Sequence, residues 1–530
     1  MKNYIVIFLF AILCLSSCKD FLEEENRQSL TDGSFFSDPK SMDQLLANVY
    51  FRARSATTSY DLYQQGTDVY TRGAIVAGIN DLNDYVNLQP FNGAVSSFWT
   101  NYYAVIAAAN TAIGRSEGIE GLTEAVKKRS IGESKFFRAF AYFNLVEQYG
   151  GVPLILNEVR SAQSDFSRAE ESVVYTQILN DLDDALASVE ENPSVYGRVS
   201  TSAVRHLKAK VLLTRGYKSF KSTNDFSEAA SLAEDVIAKH PLASDLGLLF
   251  SKQGQRNNEV ILALLYGSNP VSRGVGNNRH LLFKFIYDIY PGMTRSTLYH
   301  RGLGPAPTPF FFSLFEDGDA REGVTLRRTL LAEVPNEERG INVGDTVIHF
   351  PKTPWSAATI AGKKYTVVNP GDYFTPNGIT QVQYPMFRKF DDPGVPYTNP
   401  GIDPEGERDA IIMRSGETRL LAAEAYLNLG DNTKAASHIN ALRRRAGLCN
   451  DYAPQQVTID LILDESAKEL AGENNRWADL KRTGKLLERA LAHNPHVALN
   501  NAIRPHHLLR PVPNSEVEVS AGKITQNPGY

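Results

Sequence analysis

The chain has 530 residues, of which 42% are hydrophobic and 22% charged, and its formal net charge is −5. This composition is typical of a globular protein with a sizeable core, and the negative charge argues against nucleic acid as its main partner. The sequence contains only three cysteines. No framework of intramolecular disulfides is therefore available, and stability must come from the core.

The first 17 residues have the pattern of a secretory signal peptide. Lys2 precedes an apolar run over residues 4–15, and two serines come directly before Cys18. Because the run is about a dozen residues and a membrane-spanning helix needs about 20, we predict that residues 1–17 are removed. Leu15-Ser16-Ser17-Cys18 resembles the bacterial lipobox, which implies that Cys18 is lipidated and begins the mature chain, 18–530. The alternative is an ordinary signal peptide with an incidental cysteine.

Two long helices are predicted next. In FWTNYYAVIAAANTAI, residues 98–113, the large apolar side chains recur every three or four positions, which is the period of one helix face. The segment ESKFFRAFAYFNLVEQYGG, residues 133–151, has the same spacing and ends at Gly150-Gly151. We expect these helices to pack as a hairpin. Further helices are predicted at 173–189, 202–217 and 226–241.

A helical repeat is predicted near the C-terminal end. Within residues 419–447, Ala423, Tyr426, Gly430, Asp431 and Ala435 follow the small, aromatic, glycine, small order of a tetratricopeptide repeat. The alanines allow two helices to approach closely, and the glycine makes the turn between them. A weaker match at Ala209, Gly216 and Ala229 predicts several repeats interrupted by other material.

The middle of the chain has a different texture. Residues 265–405 are rich in Gly, Pro and aromatic residues and lack helical periodicity. We predict a loop-rich insertion with short strands, whose aromatic content argues against disorder. The mature chain is thus divided into an N-terminal part at 19–264, the insertion at 265–405 and a C-terminal part at 406–530.

Four segments together resemble the SusD/RagB family of Bacteroidetes nutrient-binding outer-membrane lipoproteins. They are RAFAYFNLVEQYGGVPLI at 138–155, RSGETRLLAAEAYLNLGD at 414–431, NRWADLKRTG at 475–484 and LRPVPNSEVEVSAGKITQNPGY at 509–530. The resemblance implies one mainly α-helical body, a tetratricopeptide-like scaffold of four repeat units with an irregular, loop-rich ligand-binding insertion. It also implies a SusC-like TonB-dependent outer-membrane transporter as partner.

The resemblance extends to cellular location. Asp20 and residues 23–25, all glutamate, directly follow Cys18. They are similar to the signal that directs Bacteroidetes lipoproteins to the cell surface, and they are also compatible with a simple solvated acidic tether. The expectation is an outer-membrane protein held by its lipid anchor alone and exposed at the cell surface.

Catalytic motifs are absent from the sequence. It contains no G-x-S-x-G elbow, P-loop, H-E-x-x-H or paired C-x-x-C. His493, His496, His506 and His507 are interrupted by prolines and lack the i, i+4 spacing of a helical metal site. We therefore expect a non-enzymatic protein without cofactor or metal, and the resemblance to the SusD/RagB family implies that it binds an oligosaccharide or polysaccharide. Two alternatives stay open, capture of a peptide, as the RagB branch implies, and a surface glycoside hydrolase.

Candidate ligand contacts are aromatic and polar residues in predicted loops, because aromatic rings stack on sugar faces and polar groups bind hydroxyls. Trp99 and Asn110 lie on a core-facing helix stripe and are predicted to pack inside. The first group of candidates is Asp68, Tyr70, Arg72, Asn80, Tyr85 and Phe91. The second group is Tyr290, Arg295, Tyr299, Arg301 and Trp355. Ordinary loop packing is the alternative for each.

The charge of the second group predicts an acidic glycan. Residues 268–304 contain five basic residues and a single acidic one, Asp288. A local positive field would favour carboxylates or sulfates through charge-assisted hydrogen bonds. The alternative is that the arginines pair with acidic residues of the protein.

Overall fold

The computed structural model describes residues 38–58, 60–73, 80–269, 273–274, 276–302, 304–374, 382–394, 406–473 and 475–530. The predicted signal peptide, Cys18 and the acidic residues after it lie outside the described residues. The described part is mainly helical, which confirms the predicted fold class.

The helices of the first half are α1 (Lys40–Ala56), α2 (Tyr60–Gln64), α3 (Asp81–Asp84), α4 (Gly93–Arg115), α5 (Glu124–Tyr149), α6 (Glu171–Leu186), α7 (Thr201–Arg215), α8 (Asp225–Lys239) and α9 (Leu246–Leu249). Those of the insertion are α10 (Pro309–Ser313), α11 (Ala320–Thr325) and α12 (Ala357–Ala361). The C-terminal helices are α13 (Ser415–Asn428), α14 (Asn432–Arg445), α15 (Ile459–Glu469), α16 (Arg476–Arg482), α17 (Leu486–His493), α18 (Pro495–Asn500) and α19 (Asn514–Val519).

Local sequence explains where the long helices begin and end. The Asn92 side chain accepts hydrogen bonds from two backbone N–H groups at the start of α4, and Ser200 caps α7 in the same way. Gly150 ends α5 at a φ of +74°, a conformation that favours glycine. Each predicted periodic segment therefore coincides with a helix, although four of the five predictions run two or three residues beyond the helix end.

The long helices form a scaffold of successive packed pairs. Helix α4 packs on α5, α5 on α6, α7 on α8, and α13 on α14. Helix α8 also packs on α13, so the weak and the strong repeat matches are neighbours in space. Ala423 and Ala435 are fully buried, and Gly430 turns the chain between α13 and α14 at a φ of +78°. This geometry agrees with the predicted repeat.

Most strands lie in the loop-rich part. The described strands are β1 (Tyr70–Thr71), β2 (Val260–Leu264), β3 (Ala306–Pro307), β4 (Leu326–Arg327), β5 (Thr329–Leu331), β6 (Thr346–His349), β7 (Thr366–Val367), β8 (Met386–Phe387) and β9 (Ala410–Arg414). They form the antiparallel pairs β1–β3, β2–β9 and β4–β8 and the three-stranded sheet β5–β6–β7, in which β6 and β7 are parallel.

Two large hydrophobic clusters stabilise the body. One joins the scaffold helices and contains Trp99, whose exposure is 3%, as the sequence predicts. Asn110 is buried and satisfied, because its Nδ2 donates to Ile155 O at 2.9 Å and its Oδ1 accepts from Arg138 at 2.8 Å. The other cluster is rich in Phe and Tyr and lies beneath the insertion. Within the described ranges, no helix is long and apolar enough to cross a membrane.

Candidate ligand-binding face

The chain just after Arg72, of the first predicted group, meets the chain a few residues after Arg301, of the second group, at a pair of glycines. Strand β1 pairs with β3, with Thr71 opposite Ala306. Just beyond the pairing, a Cβ on Gly73 would lie 1.8 Å from the carbonyl oxygen of Gly304. Only a residue without a side chain permits this approach. We refer to residues 72–73, 80–84, 286–302 and 349–369 together as the loop face.

Arg72 and Asn80 form a polar base on the loop face. The Arg72 guanidinium lies 3.4 Å from the carboxylate of Asp84, whose side chain is fully buried. Asn80 caps α3 by accepting from the Asn83 N–H, and its own N–H donates to Asp84 at 3.1 Å. Both residues flank segment 74–79, which is outside the described residues. They remain candidate ligand contacts.

Three candidates of the first group are core residues, which corrects the prediction for them. Asp68 is fully buried and binds the guanidinium groups of Arg476 and Arg489 at 2.7 Å. Burial alone would raise the pKa of Asp68, but these two cations lower it below its usual value. Asp68 is therefore a buried counter-ion, and its burial leaves no surface for a ligand.

Tyr70 and Tyr85 are only 2% exposed. The Tyr70 hydroxyl accepts from the Gly472 N–H at 2.6 Å. The Tyr85 hydroxyl donates to Gly66 O at 2.9 Å and accepts from Trp477 Nε1 at 3.2 Å. Their hydrogen-bonding capacity is thus used inside the protein.

Phe91 is different, because 75% of its surface is exposed. It comes just before α4 and adjoins the C-terminal segment, where the Asn514 N–H donates to Pro90 O at 3.1 Å. It is one of the most exposed large hydrophobic side chains of the described chain. Phe91 remains a candidate ligand contact. Among the described residues, none of the other candidates is seen in contact with it.

The predicted positive field of residues 268–304 is largely neutralised by internal ion pairs. Arg301 binds Asp288 at 2.6 Å, and Arg295 lies 3.5 Å from the same carboxylate. Lys284 is buried and binds Asp391 at 2.6 Å. Arg279 is buried as well and donates to the Tyr60 hydroxyl at 2.9 Å. The alternative of internal pairing therefore describes these residues better than the expected basic field.

Tyr299 is a further correction, because it is 3% exposed. Its hydroxyl accepts from the Leu331 N–H at 3.1 Å, which attaches the 286–302 segment to β5. Tyr290 is half-buried and lies 6.5 Å from Phe285 between ring centroids. Trp355 is partly exposed and lies next to His349 of β6, with 5.0 Å between the ring centroids.

The structure adds neighbours that sequence reasoning missed. His496 Nδ1 lies 2.6 Å from Thr71 Oγ1, and Phe374 lies 6.3 Å from the His496 ring. Burial, together with Arg72, lowers the pKa of His496 to about 4, so this imidazole is neutral at pH 7. The sequence alone shows these histidines only as a spacing that does not suit a metal site. Among the described residues, no group of three or more His, Cys, Asp or Glu side chains is placed to hold a metal.

The protein thus belongs to the class of helical-repeat scaffolds that carry an irregular, aromatic-rich face. Comparison with known families identifies its family. A model described as "Starch-binding associating with outer membrane" matches residues 20–213, and a model described as "SusD family" matches residues 336–530. The chain belongs to the SusD/RagB family, and it is associated with the outer membrane.

Individual relatives agree with this assignment. The chain is 26% identical to "SusD-like protein P2" of Formosa agariphila over 100% of both chains. It is 24% identical to "Starch-binding protein SusD" of Bacteroides thetaiotaomicron, with 78% of this chain and 74% of that protein covered. The solved structure of a "Laminarin binding SusD-like protein" has a TM-score of 0.69 at 22% identity and covers 93% of this chain and 100% of that one. The structural likeness shows the fold alone.

Proposed function

We propose that this protein captures an oligosaccharide or polysaccharide on its loop face and delivers it to a SusC-like TonB-dependent transporter. The observation that carries the proposal is the partly exposed indole of Trp355, whose backbone is hydrogen-bonded to the Asn369 side chain and whose ring lies beside the His349 ring and the Lys363 ammonium. An aromatic face and nearby polar groups are what a sugar needs for stacking and hydroxyl recognition. The relatives named for starch and laminarin binding support the same ligand class.

The test is a glycan array probed with the mature chain from residue 19, followed by isothermal titration of the best ligand. Trp355→Ala is expected to weaken binding by about 2- to 13-fold, because stacking on an aromatic ring contributes about 0.5 to 1.5 kcal/mol beyond area burial. Trp99→Phe, a change in the buried scaffold core, is the matched control and should leave affinity unchanged. Failure to bind any saccharide would contradict the proposal.

The peptide alternative is tested on the same protein. We expect that any short peptide from a library that binds the protein is displaced by saccharides. The same preparations serve for the enzymatic alternative, because a glycoside hydrolase would release reducing ends from the bound glycan. We propose that the protein binds without catalysis, so reducing-end release should equal that of a blank.

The transporter is the proposed partner. Affinity purification of the tagged protein from outer membranes of its native cells should recover a TonB-dependent β-barrel in near-equal amount. Recovery of the tagged protein without a β-barrel would contradict delivery while leaving saccharide capture intact. The proposed anchor is lipid on Cys18, with surface exposure directed by the acidic residues that follow.

A further inference from the structure

Trp355 is held in place by the chain around it. It lies on the excursion that leaves β6 after His349 and returns at β7, where Val367 pairs with His349. The Asn369 side chain accepts from the Trp355 N–H at 2.9 Å and donates to the Trp355 carbonyl at 3.1 Å. The His349 ring lies 5.0 Å from the indole at an angle of 36°. These contacts fix the orientation of a side chain that is still partly exposed.

The same excursion brings one lysine to the indole, and a second lysine follows it in the chain. Ser356 caps α12 by accepting from the Thr359 N–H at 3.2 Å, and the short helix turns the chain back toward Trp355. The Lys363 ammonium then lies 5.3 Å from the indole centroid, and Lys364 follows it. Both lysines are exposed, and no carboxylate of the described residues forms an ion pair with either. Their charge is thus available, in contrast to that of Arg301.

We propose that Trp355, Lys363 and Lys364 form a subsite for an anionic sugar residue, one that carries a carboxylate or a sulfate. The apolar face of the sugar contacts the indole, and the Lys363 ammonium binds the anion as a compact charge with several donors, while the exposed Lys364 adds positive charge next to it. The contact between Lys363 and the indole is weak at an exposed site, so the ammonium can exchange the ring for the anion. This inference rests on the proposed glycan capture and names the chemical class of its ligand.

The position of the subsite also explains why the charge count of residues 268–304 was misleading. The arginines of that segment stabilise the loop through Asp288. The available positive charge lies about 60 residues later, next to an aromatic side chain. An anionic ligand is therefore expected at β6–β7 and not at the arginines.

The test uses the mature chain from residue 19 and saccharides in matched pairs. Uronate oligosaccharides are compared with their carboxyl-reduced forms, and sulfated oligosaccharides with their desulfated forms, which separates the two anions. Affinities are measured by isothermal titration at low and high salt. The variant is Lys363→Gln with Lys364→Gln. The control is Lys128→Gln with Lys221→Gln, which removes two exposed lysines of the scaffold that are also without an ion pair to a described carboxylate.

The unaltered protein should prefer the anionic member of at least one pair, and the preference should shrink at high salt. The Lys363 and Lys364 double variant should lose about 2- to 30-fold in affinity for that member, with the neutral counterpart and the control variant unchanged. An anionic preference that survives in the double variant, or equal binding of both members by the unaltered protein, overturns the subsite and leaves glycan capture intact. Absence of binding to every saccharide overturns both.

Discussion

The substitution Asp68→Asn tests whether the loop that was predicted to bind ligand is anchored by a buried ion pair. Asp68 is the only carboxylate of the described residues that pairs with Arg476, and both side chains are at most 1% exposed. Asparagine keeps the shape but leaves the Arg476 charge buried without a counter-ion. Arg489, in contrast, keeps Asp460 and Asp464.

Breaking one side of a buried pair typically costs about 3 to 5 kcal/mol, and we expect Asp68→Asn to fall in this range. The free energy of unfolding is obtained from urea titrations at pH 7. Asp464→Asn is the control, because its side chain is 35% exposed and the expected loss is within about 1 kcal/mol. Saccharide affinity of the folded Asp68→Asn protein should be unchanged.

The same ion pair predicts a pH dependence. The pKa of Asp68 is lowered in the folded state, so its contribution is complete above the unfolded-state pKa of about 4 and is lost as pH falls toward the folded-state value. The difference in the free energy of unfolding between the unaltered protein and Asp68→Asn should therefore be constant from pH 7 to about 5 and shrink below that.

Loss of saccharide binding by Asp68→Asn with an unchanged free energy of unfolding would refute the structural role and restore Asp68 as a ligand contact.

Three further predictions concern the scaffold, the loop face and the anchor. Ala423→Leu should overpack a fully buried helix contact and cost about 1 to 3 kcal/mol in urea unfolding, with saccharide affinity unchanged; a selective loss of binding would contradict this. Gly73→Ala should clash with the Gly304 carbonyl and weaken saccharide binding in titrations. Gly93→Ala should leave the affinity unchanged, because a Cβ at Gly93 meets no atom within 4 Å. Cys18→Ala should abolish metabolic lipid labelling and release the protein from outer membranes, and retained label would exclude Cys18 as the anchor.

The scaffold could be predicted from the sequence because its information is local. Residues 98–113 repeat apolar side chains at the helix period, and Gly150 marks the end of the next helix. The repeat near Ala423 is likewise contained in about 30 consecutive residues. Each of these segments carries its own period and end signal within a few consecutive turns, so pattern alone predicts the helix.

The site could be predicted only in part, because burial in the loops depends on distant partners. Asp68 and Arg476 are 408 positions apart, and Tyr85 is covered by Trp477, 392 positions away. A loop with polar and aromatic residues reads as surface when such partners are unknown. The predicted basic field was wrong for the same reason. A charge count over residues 268–304 cannot show that Asp288 pairs with both Arg295 and Arg301.

Asn494 has a structural role that the sequence alone does not reveal. Asn494 Nδ2 donates to the carbonyl oxygens of Thr67 and Tyr70 at 2.9 and 3.0 Å, and its Oδ1 accepts from Thr71 Oγ1 at 2.9 Å. These bonds satisfy the backbone of the loop just before Arg72. A loop can present ligand contacts reproducibly only when its base is fixed in this way. Asn494, together with His496, therefore clamps the N-terminal loop, so the position of Arg72 depends on residues more than 400 positions away.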